Sequence, residues 1–330
     1  DSGQSYGLSV VPLFILMGLM GDRGGMAKEL YRAAYAFLGH RRGGLAMSTI
    51  VACGMFSAIC GSSLATAATM SKVSMPEMRR YKYDDSLATA SIAAGGTLGI
   101  LIPPSVILVI YGLITNASVG KLFIAGVLPG IIGVLFYLAA VMFVVSRNPA
   151  AGPAGEKTNG RDRLIALRDV WTTLGLFIFV IGGIYVGAFT PTEAAGMGAA
   201  GAIAIAYFRG ALSLQVLLEV ARETTMTTAK LFLVVFGAMI FSNFVNRAGL
   251  PDGLLNIAQG FDFPPLGVIF MILLIYLVLG CVFESLSMIL LTVPIFAPLV
   301  EGLGFDLIWF GILVVVATEI SLITPPIGMN

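Results

Sequence analysis

The sequence predicts an all-α polytopic membrane protein built from two inverted repeats, each with a re-entrant helical hairpin and a broken helix. Two observations carry the class and a third the repeat. Of 330 residues, 58% are hydrophobic and 11% charged, with a mean hydropathy of +0.95. A soluble domain carries about 25% charged residues, so this chain could not cover a water-facing surface of its own size. The charges that exist are gathered between long uncharged runs, and a shift of 222 residues lays the unusual features of one half on the other. Disorder and a secreted disulfide scaffold are excluded by the same composition. Nineteen Lys and Arg against 18 Asp and Glu leave +1, too little for a nucleic acid. Cys53, Cys60 and Cys281 lie in apolar runs and read as small buried hydrophobes. The single histidine, His40, excludes a His-rich metal site.

The uncharged runs are Ser2–Gly21, Gly43–Ser71, Ser86–Gly120, Leu122–Ser146, Val170–Thr192, Leu231–Asn246 and Phe263–Phe283. A helix needs about 20 apolar residues to cross the hydrocarbon core. The runs lack strand alternation, so helices are expected rather than a barrel. Asp1–Gly7 has no basic segment of the kind that opens a signal peptide. The chain opens close to one apolar run and stops at Asn330 inside another, so it reads as part of a longer chain.

Basic residues mark the cytoplasmic side. Arg23, Lys28, Arg32, Arg41 and Arg42 precede the Gly43–Ser71 run, and Lys72, Arg79, Arg80 and Lys82 follow it. Both ends of that run therefore face the cytoplasm, and the small residues Cys60-Gly61-Ser62-Ser63 supply a turn at its centre. A hairpin is expected over about 45–78, followed by a broken helix over about 85–114. The mirror case is a hairpin over about 267–300, within Val268–Val300, flanked by Asp262, Glu301 and Asp306 without Lys or Arg nearby. It should open to the outside, and a second broken helix is expected over about 307–330. Arg147–Arg168, rich in Gly and Pro, is expected as a cytoplasmic linker between a first repeat, 1–146, and a second, 169–330. Arg209–Lys230, like Arg23–Arg42, mixes charge with apolar residues and reads as an interfacial helix.

The shift of 222 lays Ser63-Leu64 on Ser285-Leu286, Pro76 on Pro298, and Pro103-Pro104 on Pro325-Pro326. Any one break taken alone is an ordinary membrane-helix kink. Broken hydrophobic segments at matched positions of two halves are the pattern of a secondary transporter. The breaks also hold the chemistry. Proline removes an amide donor and frees a carbonyl of the preceding turn, and such backbone is tolerated at membrane depth only in protein or against a polar cavity. Freed carbonyls with Ser and Thr hydroxyls suit a hard monovalent cation such as Na⁺. The helix starts after Ser63 and Ser285 offer amide N–H groups to a carboxylate, with Gly96 and Pro325 beside them. The bland alternative for these serines is bonding back to their own helices. Glu284 and Glu319 are candidate buried acids, for which the alternative is a structural interhelical pair.

Gly61-Ser62-Ser63 with Ala65-Thr66-Ala67, Gly-Thr-Leu-Gly-Ile-Leu-Ile-Pro-Pro-Ser at 96–105, Thr190-Pro191-Thr192-Glu193-Ala194-Ala195 and Thr324-Pro325-Pro326-Ile327-Gly328-Met329-Asn330 together resemble the large membrane subunit of TRAP transporters (tripartite ATP-independent periplasmic transporters). The resemblance implies an elevator-type, sodium-driven importer of organic acids, such as C4-dicarboxylates or sialic acids, similar to the ion transporter superfamily. It implies a multi-pass protein of a bacterial or archaeal cytoplasmic (inner) membrane, with a small four-helix membrane subunit and a periplasmic binding protein as partners. Na⁺ is the coupling ion and no other cofactor is expected. The implied ion-site residues are Ser62, Ser63, Thr97, Gly99, Pro103, Ser285, Ser287, Thr324 and Gly328. The competing reading is a self-sufficient ion-coupled dicarboxylate- or citrate-type carrier without a binding protein. An intramembrane serine enzyme would need a positioned base, and His40 sits in a loop beside Arg41-Arg42. A continuous channel fits four matched breaks less well than alternating access does.

Overall fold

A computed structural model describes residues 6–251, 253–254, 256 and 264–324. Every regular element among them is helical. α1 (Val10–Arg23) and α2 (Met26–Leu38) meet at a 63° bend. The bend falls at Gly24-Gly25, where Gly25 has φ +76°, a left-handed conformation that glycine adopts without strain. α3 (Gly44–Cys60) ends on Gly61, and α4 (Ser63–Arg80) restarts at once with Ser62 as its N-cap. α5 (Asp85–Leu101) stops at Pro103-Pro104, and α6 (Val106–Thr115) resumes under the Ser105 cap. α7 (Val119–Arg147), α8 (Gly160–Val186), α9 (Pro191–Phe208) and α10 (Leu214–Arg247) follow. α11 (Pro265–Gly280), α12 (Ser285–Gly302) and α13 (Leu307–Leu322) close the described chain.

Two sequence expectations are corrected. Arg209–Lys230 is no separate interfacial helix, because α10 runs unbroken from Leu214 to Arg247. No Gly or Pro interrupts it before Gly237, so nothing stops the helix where the charges end. The expected linker 147–168 is also shorter, since α8 begins at Gly160 and takes Arg161–Arg168 into its first turns.

Apolar composition sorts the helices into an inner and an outer set. The most apolar stretch of 85–115 is 83% buried inside the protein, against 11% for α7, 28% for α8 and 17% for α10. The latter three present Phe136 and Leu128, Ile178, and Leu233 and Ile240 outward, respectively, as helices bathed in lipid do. Five described helical stretches are long and apolar enough to cross a membrane, and the chain is a multi-pass membrane protein. In the inner set, α3 and α4 pack on each other and on α5, α11 packs on α13, and α13 packs on α5 and α7.

The inner helices repeat along the chain. α4 spans 63–80 and α12 spans 285–302, an offset of 222 at both ends. α5 starts at Asp85 and α13 at Leu307, the same offset, and the caps Ser62 and Glu284 obey it too.

Candidate functional site

The first hairpin tip exists because Gly61 takes φ +62° and terminates α3, while Ser62 is extended and caps α4, accepting the Ala65 N–H at 3.4 Å. The tip is seated against α5 through missing side chains. A Cβ on Gly61 would lie 2.9 Å from the Pro104 carbonyl oxygen. One on Gly99 would lie 2.6 Å from the Ser62 carbonyl oxygen and 2.8 Å from the Ser63 α-carbon. One on Gly96 would lie 2.7 Å from the Ala67 Cβ and 3.3 Å from the Ser63 carbonyl oxygen. Such distances leave no room for a methyl group, so glycine here is a condition of backbone meeting backbone.

The structure thus brings Ser62, Ser63, Gly96, Gly99 and the Pro103-Pro104 break into one neighbourhood. Pro103 and Pro104 have no N–H for the Gly99 and Ile100 carbonyls four residues back. Ser63 is 3% exposed and its hydroxyl makes no hydrogen bond among the described residues. Neutral oxygens are therefore concentrated at the start of α4, with its amide dipoles. An open groove of about 720 Å³ lies farther along α4 and α5, lined by Leu64, Ala67, Ser71, Ser86 and Thr89 and by none of the tip residues. A separate cavity of about 340 Å³ touches Pro103 but is lined by Gly54, Ile59, Val134, Phe177 and similar apolar groups. Its polar side chains are Thr173 and Tyr185, and no charged group lines it.

Thr97 is not turned to the tip in the same way. Its hydroxyl donates to the Ala94 carbonyl at 2.7 Å and is 2.9 Å from the Tyr137 hydroxyl of α7. Thr324 donates to the Ile320 carbonyl at 2.7 Å, the local back-bonding common for threonine in helices.

The second tip differs in charge. Glu284 caps α12, and its carboxylate accepts from the Ser287 N–H at 3.2 Å, the Ser285 hydroxyl at 3.3 Å and the Ser287 hydroxyl at 3.4 Å. Glu284 is consequently half-buried at a helix start, not the enclosed acid expected. The hydroxyls of Ser285 and Ser287 give it their protons, which leaves their oxygen lone pairs open. Behind this tip, Gly280 of α11 lies so close to Ser321 of α13 that a Cβ would collide with that side chain. Ser321 stands at the position equivalent to Gly99. Pro325 and Gly328 lie outside the described residues.

Glu319, equivalent by the same offset to Thr97, is 4% exposed and neither carboxylate oxygen has a partner among the described residues. Tyr137 of α7 meets Thr97 of α5, and α7 also packs against α13, the helix that carries Glu319. Sequence reasoning missed Tyr137. The available signal was that it is the only hydrogen-bonding side chain between Lys121 and Ser146. Thr190-Pro191-Thr192-Glu193 proves to be a capping box for α9. Glu193 accepts from the Thr190 N–H at 2.8 Å, and its own N–H donates to the Thr190 hydroxyl at 3.3 Å.

Polar backbone collected at helix breaks inside an apolar bundle, with lipid-facing helices around it, defines a membrane permease and not an enzyme. The sequence matches the family described as "Tripartite ATP-independent periplasmic transporter, DctM component" over residues 2–330, and the chain belongs to that family. It is 37% identical to the C4-dicarboxylate TRAP transporter large permease protein DctM of Pseudomonas aeruginosa, over 100% of this chain and 77% of that protein. It is 34% identical to the sialic acid TRAP transporter large permease protein SiaM of Vibrio cholerae, over 99% and 76%. The ectoine/5-hydroxyectoine TRAP transporter large permease protein UehC of Ruegeria pomeroyi is likewise 34% identical, over 98% and 75%.

Proposed function

We propose that this chain is the membrane carrier of a Na⁺-coupled importer of an organic acid in the cytoplasmic (inner) membrane. A small membrane subunit and a periplasmic binding protein would be its partners. The observation that carries the reading is the first hairpin tip pressed onto Gly96, Gly99 and the Pro103-Pro104 break. It gathers the Ser63 hydroxyl with neutral backbone oxygens, the ligand type a hard monovalent ion takes. The relatives' named substrates, dicarboxylate, sialic acid and ectoine, all carry a carboxylate, which the amide N–H groups at the start of α4 would meet. The capped second tip already holds a carboxylate, so it suits a cation better than a second anion. In this reading Ser62, Ser63 and Gly99 serve one ion, and Ser285, Ser287 and Thr324 with Pro325 and Gly328 form the other half-site. Movement of each hairpin with its broken helix would give an elevator.

Glu319 favours one rival, coupling to protons, because a carboxyl without a partner or cation at that depth is costly unless used. Uptake into proteoliposomes holding this protein and its two partners, screened over organic acids with an imposed Na⁺ gradient and then a pH gradient, tests both. Uptake that follows pH and ignores Na⁺ overturns the sodium reading. Full-rate uptake by this subunit alone overturns the tripartite one.

A further inference from the structure

α2 presents Lys28, Tyr31, Arg32 and Tyr35, spaced along one helical face, to Lys72, Val73, Pro76 and Glu77 of α4. Together they line a cavity of about 420 Å³. None of Lys28, Arg32 and Lys72 forms an ion pair or hydrogen bond among the described residues. The acids nearby are otherwise engaged: Glu29 holds Arg209 at 2.6 Å, and Glu77 is 3.8 Å from Arg80. Tyr31 is 4% exposed and its buried hydroxyl has no partner among the described residues, although a phenolic O–H seldom goes unbonded when enclosed. Lys28 and Arg32 repel one another at i,i+4 on α2, and Lys72 brings a third positive charge toward them from α4. Glu77 is the one acid lining the cavity and Glu29 lies near Arg32, so among the described residues the three cations are only partly offset.

We infer that the cavity between α2 and α4 binds a phosphate-type oxyanion, held by Lys28, Arg32 and Lys72 with the Tyr31 hydroxyl as an added donor. A guanidinium fork, two ammonium groups and a phenol match the several oxygens of one phosphate. Basic pockets between membrane helices on the cytoplasmic side take lipid headgroups by this chemistry, and a free phosphate presents the same group. Because Lys72 belongs to the second arm of the first hairpin and Lys28 and Arg32 do not, the bound group ties that arm to α2.

The test compares thermal stability of the full chain in nanodiscs of phosphatidylcholine and of phosphatidylcholine with phosphatidylglycerol. Parallel samples in phosphatidylcholine receive inorganic phosphate or chloride at equal ionic strength. Stabilisation by phosphatidylglycerol with no effect of phosphate identifies a lipid occupant; stabilisation by phosphate over chloride identifies a free anion. Either shift should vanish in R32Q/K72Q, with affinity roughly fivefold weaker for each cation removed. Should that double variant fail to fold, K28Q, altered at an exposed side chain, should carry the fivefold loss alone. The inference is overturned if neither phosphatidylglycerol nor phosphate stabilises beyond its control, or if the variants keep the whole shift.

Discussion

The α-carbon of Gly99 lies against the carbonyl of Ser62, so closely that a methyl group at position 99 would stand 2.6 Å from that oxygen. Its other near neighbour is the Ser63 α-carbon, 2.8 Å away. Both are backbone, which cannot turn aside as a flexible side chain would.

Gly99→Ala should therefore push the hairpin tip off α5. Overpacking of this kind costs about 1–3 kcal/mol. The protein is expected to fold with a lowered melting temperature and to lose most uptake, measured side by side in proteoliposomes. Unchanged uptake would show that the tip's seat on α5 has no part in transport.

The two hairpin serines should respond unequally. Ser63 has a free hydroxyl at the tip, whereas Ser285 donates to Glu284 at 3.3 Å. Ser63→Ala is expected to raise the Na⁺ concentration for half-maximal uptake about tenfold, equivalent to about 1.4 kcal/mol. Ser285→Ala should do less. Equal effects would mean that Glu284 releases Ser285 when the ion binds.

Glu319→Gln removes a carboxyl whose two oxygens have no partner among the described residues. Burying an unsatisfied polar group costs about 1–3 kcal/mol, more for a charge, so the amide should leave the protein at least as stable. If uptake of this variant keeps its Na⁺ dependence and its response to a pH gradient, Glu319 takes no part in coupling.

Arg209 holds three elements at once. It donates to the Gly24 carbonyl at 2.9 Å, to Glu29 at 2.6 Å and to the Thr172 hydroxyl at 2.6 Å, joining the end of α9 to the α1–α2 bend and to α8. A double-mutant cycle of R209A with E29A should give a coupling of about 1–3 kcal/mol for this partly buried, charge-assisted bond. Arg209→Lys should recover little, because one ammonium cannot span the three acceptors.

The charge bias predicts that the two hairpins lie on opposite sides of the membrane. Gly43 is unsuitable for a probe, since it has φ +72° and a Cβ there would meet Val145 at 2.9 Å. In a background without the native cysteines, Arg42→Cys and Glu301→Cys, both exposed, should label from opposite faces of the membrane. Labelling from one face would remove the inverted arrangement.

Much of this was legible in the sequence because the bilayer enforces it. Runs without charge must be helices, since backbone in lipid has to satisfy itself. Breaks at Gly61 and at Pro103-Pro104 follow from φ > 0 and from a missing N–H, properties of one residue and its neighbours. The 222-residue offset needed only counting, and the helix limits at 63–80 and 285–302 keep it. Where helices end for lack of a local signal, the sequence was weaker, as in the continuous α10.

Composition and pattern alone determined a multi-pass helical protein, its hinge-like breaks and the family to which it belongs. Only the tertiary structure decided which polar groups meet. Thr97 and Ser63 read as equals along the chain, yet one hydroxyl turns to Tyr137 on α7 and the other stays free at the tip. Glu284 and Glu319 read as a pair of buried acids, yet one caps α12 and the other is enclosed without a partner among the described residues. The physical reason is that a residue's helix is set by its neighbours in sequence, while what its side chain touches is set by helices arriving from elsewhere. Burial and hydrogen bonding at these positions depend on that second arrangement, which no local rule contains.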